Sequence, residues 1–228
     1  MSSLNDQGYL AFEDFLPERC VSSALHWIGA ARAQSVIPNE LQPAYEVDGR
    51  LRKLRRLFWH DTGFWKAWLV DAGLPSLVLD LVGPGACLIR HATFLKPART
   101  GSAVVPHQDQ ALWALDYPGA LSFWMTFVET NQRNGCLKFW PGSHRLGRLA
   151  HDEQHGDRWQ KGCDPSGIGI EPVERPLRPG GMLVWDRYMI HASGPNLSES
   201  DRTGMVMVFA DSKAKRFYSP DLFDVASI

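Results

Sequence analysis

From Ala86 onward the chain consists of short apolar runs separated by turn-forming residues. The runs are ACLIRHATFL, ALSFWMTFVE, CLKFW, GMLVWD and GMVMVFA. Between them lie clusters rich in glycine, proline and asparagine, such as KPARTG, TNQRNG and RPGG. Short apolar runs bounded by turn signals are typical of β-strands. A long succession of such strands predicts a β-sandwich or a β-barrel.

The N-terminal part of the chain has a helical pattern instead. Pro17 can open a helix, because the first turn does not need its missing N–H group. Val21, Leu25 and Ile28 follow at three- and four-residue intervals and form one apolar stripe. A second helical stretch is predicted over residues 64–81, with a break at a Gly-Leu-Pro triplet. We expect these helices to brace one sheet.

Length and composition predict one domain. The 228 residues, 44% of them hydrophobic, can bury a sizeable core. We expect a single domain over residues 1–228, with a helical part at about 1–85 and a β-core at about 86–215. The formal net charge of -1 gives no reason to expect nucleic-acid binding.

The sequence also predicts a cytoplasmic location. No apolar run is long enough to cross a membrane, and the first residues lack the basic-then-apolar order of a signal peptide. The four cysteines are scattered without a CxxC pair, so we expect free thiols in a reducing compartment.

Two polar motifs lie at the ends of predicted strands. His107 and Asp109 are two residues apart, and on an extended strand they would point to the same side. His191 ends the apolar run GGMLVWDRYMI, so we expect it at a strand end opposite them. Two histidines and one carboxylate form the facial triad of non-haem Fe(II) oxygenases, which leaves metal positions open for a keto acid and dioxygen.

A lone HxD triplet is common by chance, and a buried histidine with a hydrogen bond is commoner than a metal ligand. Arg202 and Ser193 strengthen the metal interpretation. Arg202 follows His191 closely enough to reach the same cavity, and a guanidinium matches a carboxylate with two parallel hydrogen bonds. Ser193 can add a hydroxyl donor to that carboxylate.

The chain resembles the phytanoyl-CoA dioxygenase-like family of Fe(II)/2-oxoglutarate oxygenases. The resemblance rests on HQDQ, on the Trp124 segment leading into NGCLKFWPGSH at residues 134–144, and on HASGPN with Arg202 downstream. The N-terminal segment DQGYLAFEDFLPERCVSSAL also resembles the family's opening strand and helix, although this match is weak by itself. Together these motifs span nearly the whole chain in the family's order.

The resemblance implies a mainly β fold with flanking α-helices, a double-stranded β-helix (a jelly roll, cupin-like) with iron in its mouth. It implies that His107, Asp109 and His191 bind Fe(II). Arg202 and Ser193 would hold the far carboxylate of 2-oxoglutarate, and Trp124 would line the cosubstrate pocket.

The implied reaction uses Fe(II), 2-oxoglutarate and O2, and it releases succinate and CO2. It would hydroxylate, oxidatively cyclise or desaturate a small metabolite or natural-product intermediate, and we favour a polar compound such as a glycoside. One alternative is a cupin-like metal-binding barrel with a non-oxygenase activity. Another is a non-catalytic binding module. The sequence leaves the substrate, the reaction type and the oligomeric state open.

The basic run RLRKLRR at residues 50–56 allows two interpretations. Such a run is usually a solvated face, and we interpret it in this way first. The alternative is a lid or groove that meets an anionic substrate, such as a phosphate, a carboxylate or a carrier-bound acyl group.

Other residues are candidates for smaller roles. Trp113 and Trp140 can present flat apolar faces to a substrate. The segment RHATFLK offers four residues that could complete the cosubstrate pocket: Arg90, His91, Thr93 and Lys96.

The segment HDEQH at residues 151–155 superficially resembles the zinc-protease helix motif. That motif requires Glu directly after the first histidine, and Asp152 stands there instead. We therefore do not favour a zinc hydrolase.

Overall fold

The fold is seen in a computed structural model that describes residues 2–113, 116–211 and 223–227. The α-helices of this part are α1 (Ser2–Gln7), α2 (Glu18–Arg32), α3 (Leu57–His60), α4 (Thr62–Asp71), α5 (Leu74–Val82) and α6 (Asp109–Leu112). The first six strands are β1 (Tyr9–Phe12), β2 (Ala44–Tyr45), β3 (Leu51–Arg55), β4 (Cys87–Lys96), β5 (Val104–His107) and β6 (Leu121–Thr126). The others are β7 (Leu137–Phe139), β8 (Val173–Arg175), β9 (Met182–Asp186), β10 (His191–Ser193), β11 (Arg202–Ala210) and β12 (Phe223–Asp224).

The strands form two antiparallel sheets. The larger sheet has the order β1-β9-β6-β11-β4-β3-β2, and β12 pairs with β4. The smaller sheet has the order β5-β10-β7-β8. The chain crosses between the two sheets repeatedly, since β6 and β9 lie in the larger sheet while β7, β8 and β10 lie in the smaller one. This is a double-stranded β-helix, so the predicted fold class is confirmed.

The predicted helices form where the sequence pattern indicated. α2 begins directly after Pro17 and buries Ile28 as expected, while Val21 and Leu25 are only half-buried at the edge of its apolar face. The second stretch is broken into α4 and α5. Gly73 lies at the break with a φ of 68°, a conformation that glycine adopts without steric cost.

The N-terminal part is not purely helical, in contrast to the expected division near residue 85. β1 pairs with β9, and β3 pairs with β4, so both strands extend the larger sheet. β1 lies in the segment for which the resemblance implied an opening strand. β3 is short and carries the basic run, which hid its β-character from a search for apolar runs.

The helices cover the outer face of the larger sheet, and β11 shows how its two faces differ. Met205, Met207 and Phe209 lie in the main hydrophobic core with the helices. Val206 and Val208, which alternate with them, face the smaller sheet and line an open cavity. Because successive strand residues point to opposite faces, the inward-facing set of this strand belongs to the cavity.

All four cysteines are buried, and no disulfide joins them in the part of the chain that the structure describes. Among the described residues, no helix has the length and apolar character that a membrane span requires.

Candidate functional site

The sheet register brings the two predicted histidine ligands together. His191 is paired with His107 across β10 and β5, and their ring centroids are 4.1 Å apart. His191 is the first residue of β10, so it lies at a strand end as expected. The apolar run before it forms β9 and then a turn.

His107 and Asp109 do not share one strand, which corrects the expectation that both lie on one extended strand. β5 ends at His107, and Asp109 is the first residue of α6. Gln108 between them is extended, with φ -110° and ψ 133°. Because that one residue keeps the alternation of a strand, both side chains still reach the same space.

The three side chains present one ligand atom each to a common point. Asp109 Oδ1 lies 3.9 Å from His107 Nε2 and 3.8 Å from His191 Nε2. One candidate ligand atom from each residue lies within 4.8 Å of the others. Among the residues that the structure describes, this is the one such group of histidine, cysteine or acidic side chains.

Backbone contacts orient both imidazole rings. His107 Nδ1 lies 2.8 Å from the carbonyl oxygen of Val105, and His191 Nδ1 lies 3.0 Å from that of Met189. A carbonyl can only accept, so each Nδ1 carries the proton. Each Nε2 therefore directs a lone pair towards Asp109, as a metal ligand requires.

The carboxylate of Asp109 is fixed in a similar way. Its Oδ2 accepts hydrogen bonds from Ser122 Oγ at 2.6 Å and from Trp185 Nε1 at 3.0 Å. Burial disfavours the ionised form, but the two histidines and these two donors outweigh it and lower the pKa of Asp109. The carboxylate is thus held ionised, with Oδ1 directed at the histidines.

Burial also acts on the first histidine. Burial, followed by the effect of neighbouring His191, lowers the pKa of His107 to about 3. A neutral imidazole is the form that binds a metal, so this ring is ready to coordinate at neutral pH.

Arg202 lies in the same cavity as a buried cation without a carboxylate partner among the described residues. Its Nη2 donates to the carbonyl oxygen of Gly135 at 2.6 Å, and its Nε is buried without a partner. The guanidinium lies 5.2 Å from the ring centroid of Trp124. A buried guanidinium with an unused donor is the group that a carboxylate ligand would satisfy.

The cavity contains every predicted site residue. Its volume is about 1070 Å³, and its lining includes the triad together with Trp124, Ser193 and Arg202. Gly204 allows the close approach of the indole, because a Cβ there would lie 2.5 Å from Trp124 Cζ2. A cavity of this size can hold a cosubstrate and a further small molecule.

The basic run is a solvated face only at its two ends, so our first interpretation was wrong for Arg52, Lys53 and Arg55, which are buried or half-buried. Arg52 is buried in an ion pair with Glu46 at 3.2 Å, and its guanidinium lies 3.9 Å from the ring centroid of Trp159. Lys53, Arg55 and Arg56 line the cavity. Burial, reinforced by Arg55, lowers the pKa of Lys53 to about 7.

Of the four β4 residues proposed to complete the cosubstrate pocket, three line the cavity and one does not. Arg90, His91 and Lys96 contribute to the cavity lining. Lys96 Nζ donates to the carbonyl oxygens of Ser102, at 2.7 Å, and of Gly194. Thr93 does not line the cavity; its hydroxyl oxygen accepts from the backbone N–H of Leu54 at 3.3 Å.

The two tryptophan candidates also differ. Trp113 lines the cavity and makes an edge-to-face contact with Tyr117 at 5.3 Å. Trp140 does not line it; the ring is buried in a small cluster with Cys163 and Ile190. Trp140 follows directly after β7, and its ring is buried inside the protein.

The segment at residues 151–155 is not helical, in agreement with our rejection of a zinc-protease motif. His151 has a supporting role instead. Its Nε2 accepts from the backbone N–H of Gln108 at 2.9 Å, and its Nδ1 lies 3.1 Å from the carbonyl oxygen of Leu149. It therefore braces the residue between two of the ligands.

The chemistry of these side chains fits a divalent metal together with a keto-acid cosubstrate. Two neutral imidazoles and one carboxylate suit a ferrous ion, and three ligands on one side leave the other side open towards the cavity. Arg202 fits the keto acid, because its buried Nε has no hydrogen-bond partner and a carboxylate would accept from it.

Comparison with known proteins decides the family. The family model for phytanoyl-CoA dioxygenase (PhyH) matches residues 4–204. The chain belongs to the phytanoyl-CoA dioxygenase family. It is 27% identical over 185 residues to phytanoyl-CoA dioxygenase 1 of Oryza sativa subsp. japonica, covering 75% of this chain and 64% of that protein. It is 30% identical over 122 residues to phytanoyl-CoA dioxygenase domain-containing protein 1 of Mus musculus, covering 50% of this chain and 42% of that protein. The chain thus spans less than two thirds of these relatives.

Solved structures of other proteins share the fold. EctD from S. alaskensis with bound Fe superposes with a TM-score of 0.76 at 19% identity, covering 92% of this chain and 75% of that chain. The epimerase SnoN, in complex with Fe3+, alpha ketoglutarate and nogalamycin RO, gives a TM-score of 0.74 at 19% identity, covering 92% and 81%. The carbocyclase SnoK from nogalamycin biosynthesis gives 0.73 at 16% identity, covering 98% and 91%.

Proposed function

We propose that the protein is an Fe(II)- and 2-oxoglutarate-dependent oxygenase that acts on a small molecule. The main support is that His107, Asp109 and His191 converge in one cavity. Arg202 lies in the same cavity and has no carboxylate partner among the described residues. Family membership supports this proposal. So do the fold neighbours crystallised with iron and 2-oxoglutarate.

The triad residues would hold the metal. His107 Nε2, His191 Nε2 and Asp109 Oδ1 would be the ligands, since the other polar atom of each side chain is already bonded to the protein. These outer contacts fix the tautomers and the orientation before any metal binds, and such partners typically change metal affinity by about 10- to 100-fold.

Arg202 and its neighbours would hold the cosubstrate. The guanidinium would pair with the far carboxylate of 2-oxoglutarate, and Ser193 would donate its hydroxyl to the same group. Trp124 would cover one face of the guanidinium and keep water from it. With its far end fixed, the keto-acid end of the molecule would be presented to the triad.

Bound iron with 2-oxoglutarate would supply the oxidation of a C–H bond by dioxygen, with succinate and CO2 as coproducts. The protein would select the bond by holding the substrate in the remaining space of the cavity. Hydroxylation, oxidative cyclisation and desaturation are the outcomes that we propose for a small metabolite or natural-product intermediate.

Succinate release tests this proposal. Protein supplied with Fe(II), 2-oxoglutarate and air should form succinate. The Asp109→Ala variant should lose this activity, whereas Asp14→Ala, which removes an exposed carboxylate elsewhere, should keep it. An equal rate from the Asp109→Ala variant would contradict the assignment.

Anaerobic spectroscopy separates the proposal from a metal-binding barrel of another function. The protein with Fe(II) should develop a visible absorption band when 2-oxoglutarate is added, and Arg202→Met should require at least tenfold more 2-oxoglutarate to develop it. Metal binding without any such band would favour the cupin-like alternative and overturn the oxygenase proposal.

A further inference from the structure

One wall of the cavity is strongly cationic. Lys53, Arg55 and Arg56 come from the basic run and its end, Arg90 comes from β4, and Lys161 lies at the rim. Asp109 is the one carboxylate among the described residues that line the cavity, and it belongs to the triad. Among the described residues that line the cavity, basic side chains therefore outnumber acidic ones.

Two of these cations lie side by side on the same face of the larger sheet. Arg55 is opposite Ala92 in the β3–β4 ladder, and Arg90 precedes Ala92 by two residues on the same face. Arg55 and Arg90 are thus diagonal neighbours with a small side chain beside them. Like charges in this arrangement destabilise a sheet unless a counter-ion lies between them.

The chain pairs arginine with a carboxylate where the charge is structural. Arg52, on the same strand, is buried and bonded to Glu46. Arg55 instead donates only to the backbone carbonyl of Gln42 at 2.9 Å, and Arg90 lies 5.4 Å from the ring centroid of Trp113. Neither forms an ion pair with a carboxylate of the described residues. Both residues line the cavity.

This pair is separate from the arginine assigned to the cosubstrate. Arg202 is opposite Lys96 in the β11–β4 ladder, whereas Arg90 is opposite Val208. From Lys96 to Arg90 the strand rises about 20 Å. A 2-oxoglutarate molecule running from Arg202 to the triad would lead from β11 towards Ser122 on β6, whereas Arg90 lies on β4, on the other side of β11.

The pair also lies at the level of the triad. Val208 pairs with Arg90 on one side and with Ser122 on the other, and Ser122 is the residue that bonds Asp109. Two strand spacings, about 10 Å, thus separate the backbone of Arg90 from that of Ser122. An anionic group at Arg90 would leave the body of a small molecule between the arginine and the triad, beside the flat face of Trp113.

We propose that Arg55 and Arg90 bind an anionic group, a phosphate or a carboxylate, of the molecule that the enzyme oxidises. This inference deepens the proposed function and rests on it. The two guanidinium groups offer several donors in a planar arrangement that matches such an oxyanion. They would fix one end of the substrate and thereby determine which C–H bond lies next to the triad.

Calorimetric titration of the full-length protein, loaded with Fe(II) and saturating 2-oxoglutarate under argon, tests the proposal. The probes are phenyl phosphate, benzoate and the neutral phenyl glucoside. At least one anion should bind tenfold or more tightly than the glucoside, and the tighter anion identifies the class. Arg55→Gln and Arg90→Gln should each weaken that anion at least tenfold. Arg178→Gln, which removes an exposed arginine outside the cavity, should not.

The absorption band of the 2-oxoglutarate complex is recorded for every variant in the same preparation. Its persistence shows that the variants are folded and that the cosubstrate site is intact, so a loss of anion binding is then specific. Equal affinity for the glucoside and both anions would overturn the anion site. An anion affinity that is the same in Arg55→Gln, Arg90→Gln and the unmodified protein would also overturn it. If the band is absent from the unmodified protein, the oxygenase proposal itself fails.

Discussion

The side-chain amide of Gln108 donates a 2.7 Å hydrogen bond to the carbonyl oxygen of Tyr188. This bond ties the segment between His107 and Asp109 to the turn that precedes His191. The same amide donates to Gly147 and accepts from the backbone N–H of Leu149. One buried side chain thus connects the two parts of the chain that carry the candidate ligands.

We expect Gln108→Leu to weaken metal binding without removing any ligand. The substitution leaves two carbonyl groups and one N–H, all partly buried, without their bonds to Gln108, and each costs up to about 1–3 kcal/mol unless the segment shifts. A shift misplaces His107 and Asp109, so Fe(II) affinity should fall about 10- to 100-fold in an anaerobic competition titration. Gln34→Leu, at an exposed position, is the control. Unchanged affinity in Gln108→Leu would mean that the triad is held without this clamp.

Ser122→Ala should affect the carboxylate ligand specifically. It removes the 2.6 Å hydrogen bond to Asp109 Oδ2 and leaves that from Trp185. The carboxylate can then rotate, and its pKa should rise because one stabilising donor is lost. We expect about tenfold weaker Fe(II) binding, with a larger loss at acidic pH. Exposed Ser35→Ala should leave the titration unchanged, and an equally small effect of both variants would argue against this role of Ser122.

Gly204→Ala should disturb the cosubstrate site and spare the metal site. The new methyl group would collide with the indole of Trp124, which lies against Arg202. We expect 2-oxoglutarate affinity to fall about tenfold, since displaced packing around a buried guanidinium weakens its contacts. Fe(II) affinity should stay the same. The matched variant Gly29→Ala has free space around the new methyl group and should retain both affinities. A parallel loss of metal binding in Gly204→Ala would point to general misfolding.

The metal-free protein should lose stability in acid through His107. Its pKa is about 3 in the folded protein, against an ordinary value of 6.5. Between these values the unfolded chain binds more protons than the folded one, so the free energy of unfolding falls as the pH falls from 6.5 towards 3. The slope from one such group is at most about 1.4 kcal/mol per pH unit.

Urea unfolding of the metal-free protein at several pH values measures this slope. His107→Gln should show a shallower decline than the unmodified protein, because it removes the group that must stay neutral. His26→Gln, at an exposed position, should not change the decline. Superimposable slopes for all three proteins would contradict the assignment.

Sequence reasoning reached the triad because metal chemistry restricts the ligands to a few residue types. An HxD pair, a distant histidine and a following arginine are recognisable without knowing any strand register. The two-residue spacing still brought the side chains together, although Asp109 lies on α6 rather than on a strand. The extended backbone of Gln108 preserved the geometry that a continuous strand would have given.

The supporting residues could not be found in this way. Ser122 and Trp185 reach Asp109 only because β6 and β9 lie side by side, and that register is not encoded in any local motif. The basic run was misjudged for a related reason. Its charges looked solvated along the sequence, but β3 pairs with β4 in the larger sheet, and Lys53 and Arg55 of that strand line the cavity.

The buried thiols have a consequence for the durability of such a protein. Burial raises the pKa of Cys20 and Cys136, and that of Cys163 to about 11, so these groups stay protonated at neutral pH. Protonated, inaccessible thiols react slowly with peroxide. In the proposed oxygenase, these sulfur atoms would therefore resist oxidation by peroxide released in an unproductive cycle.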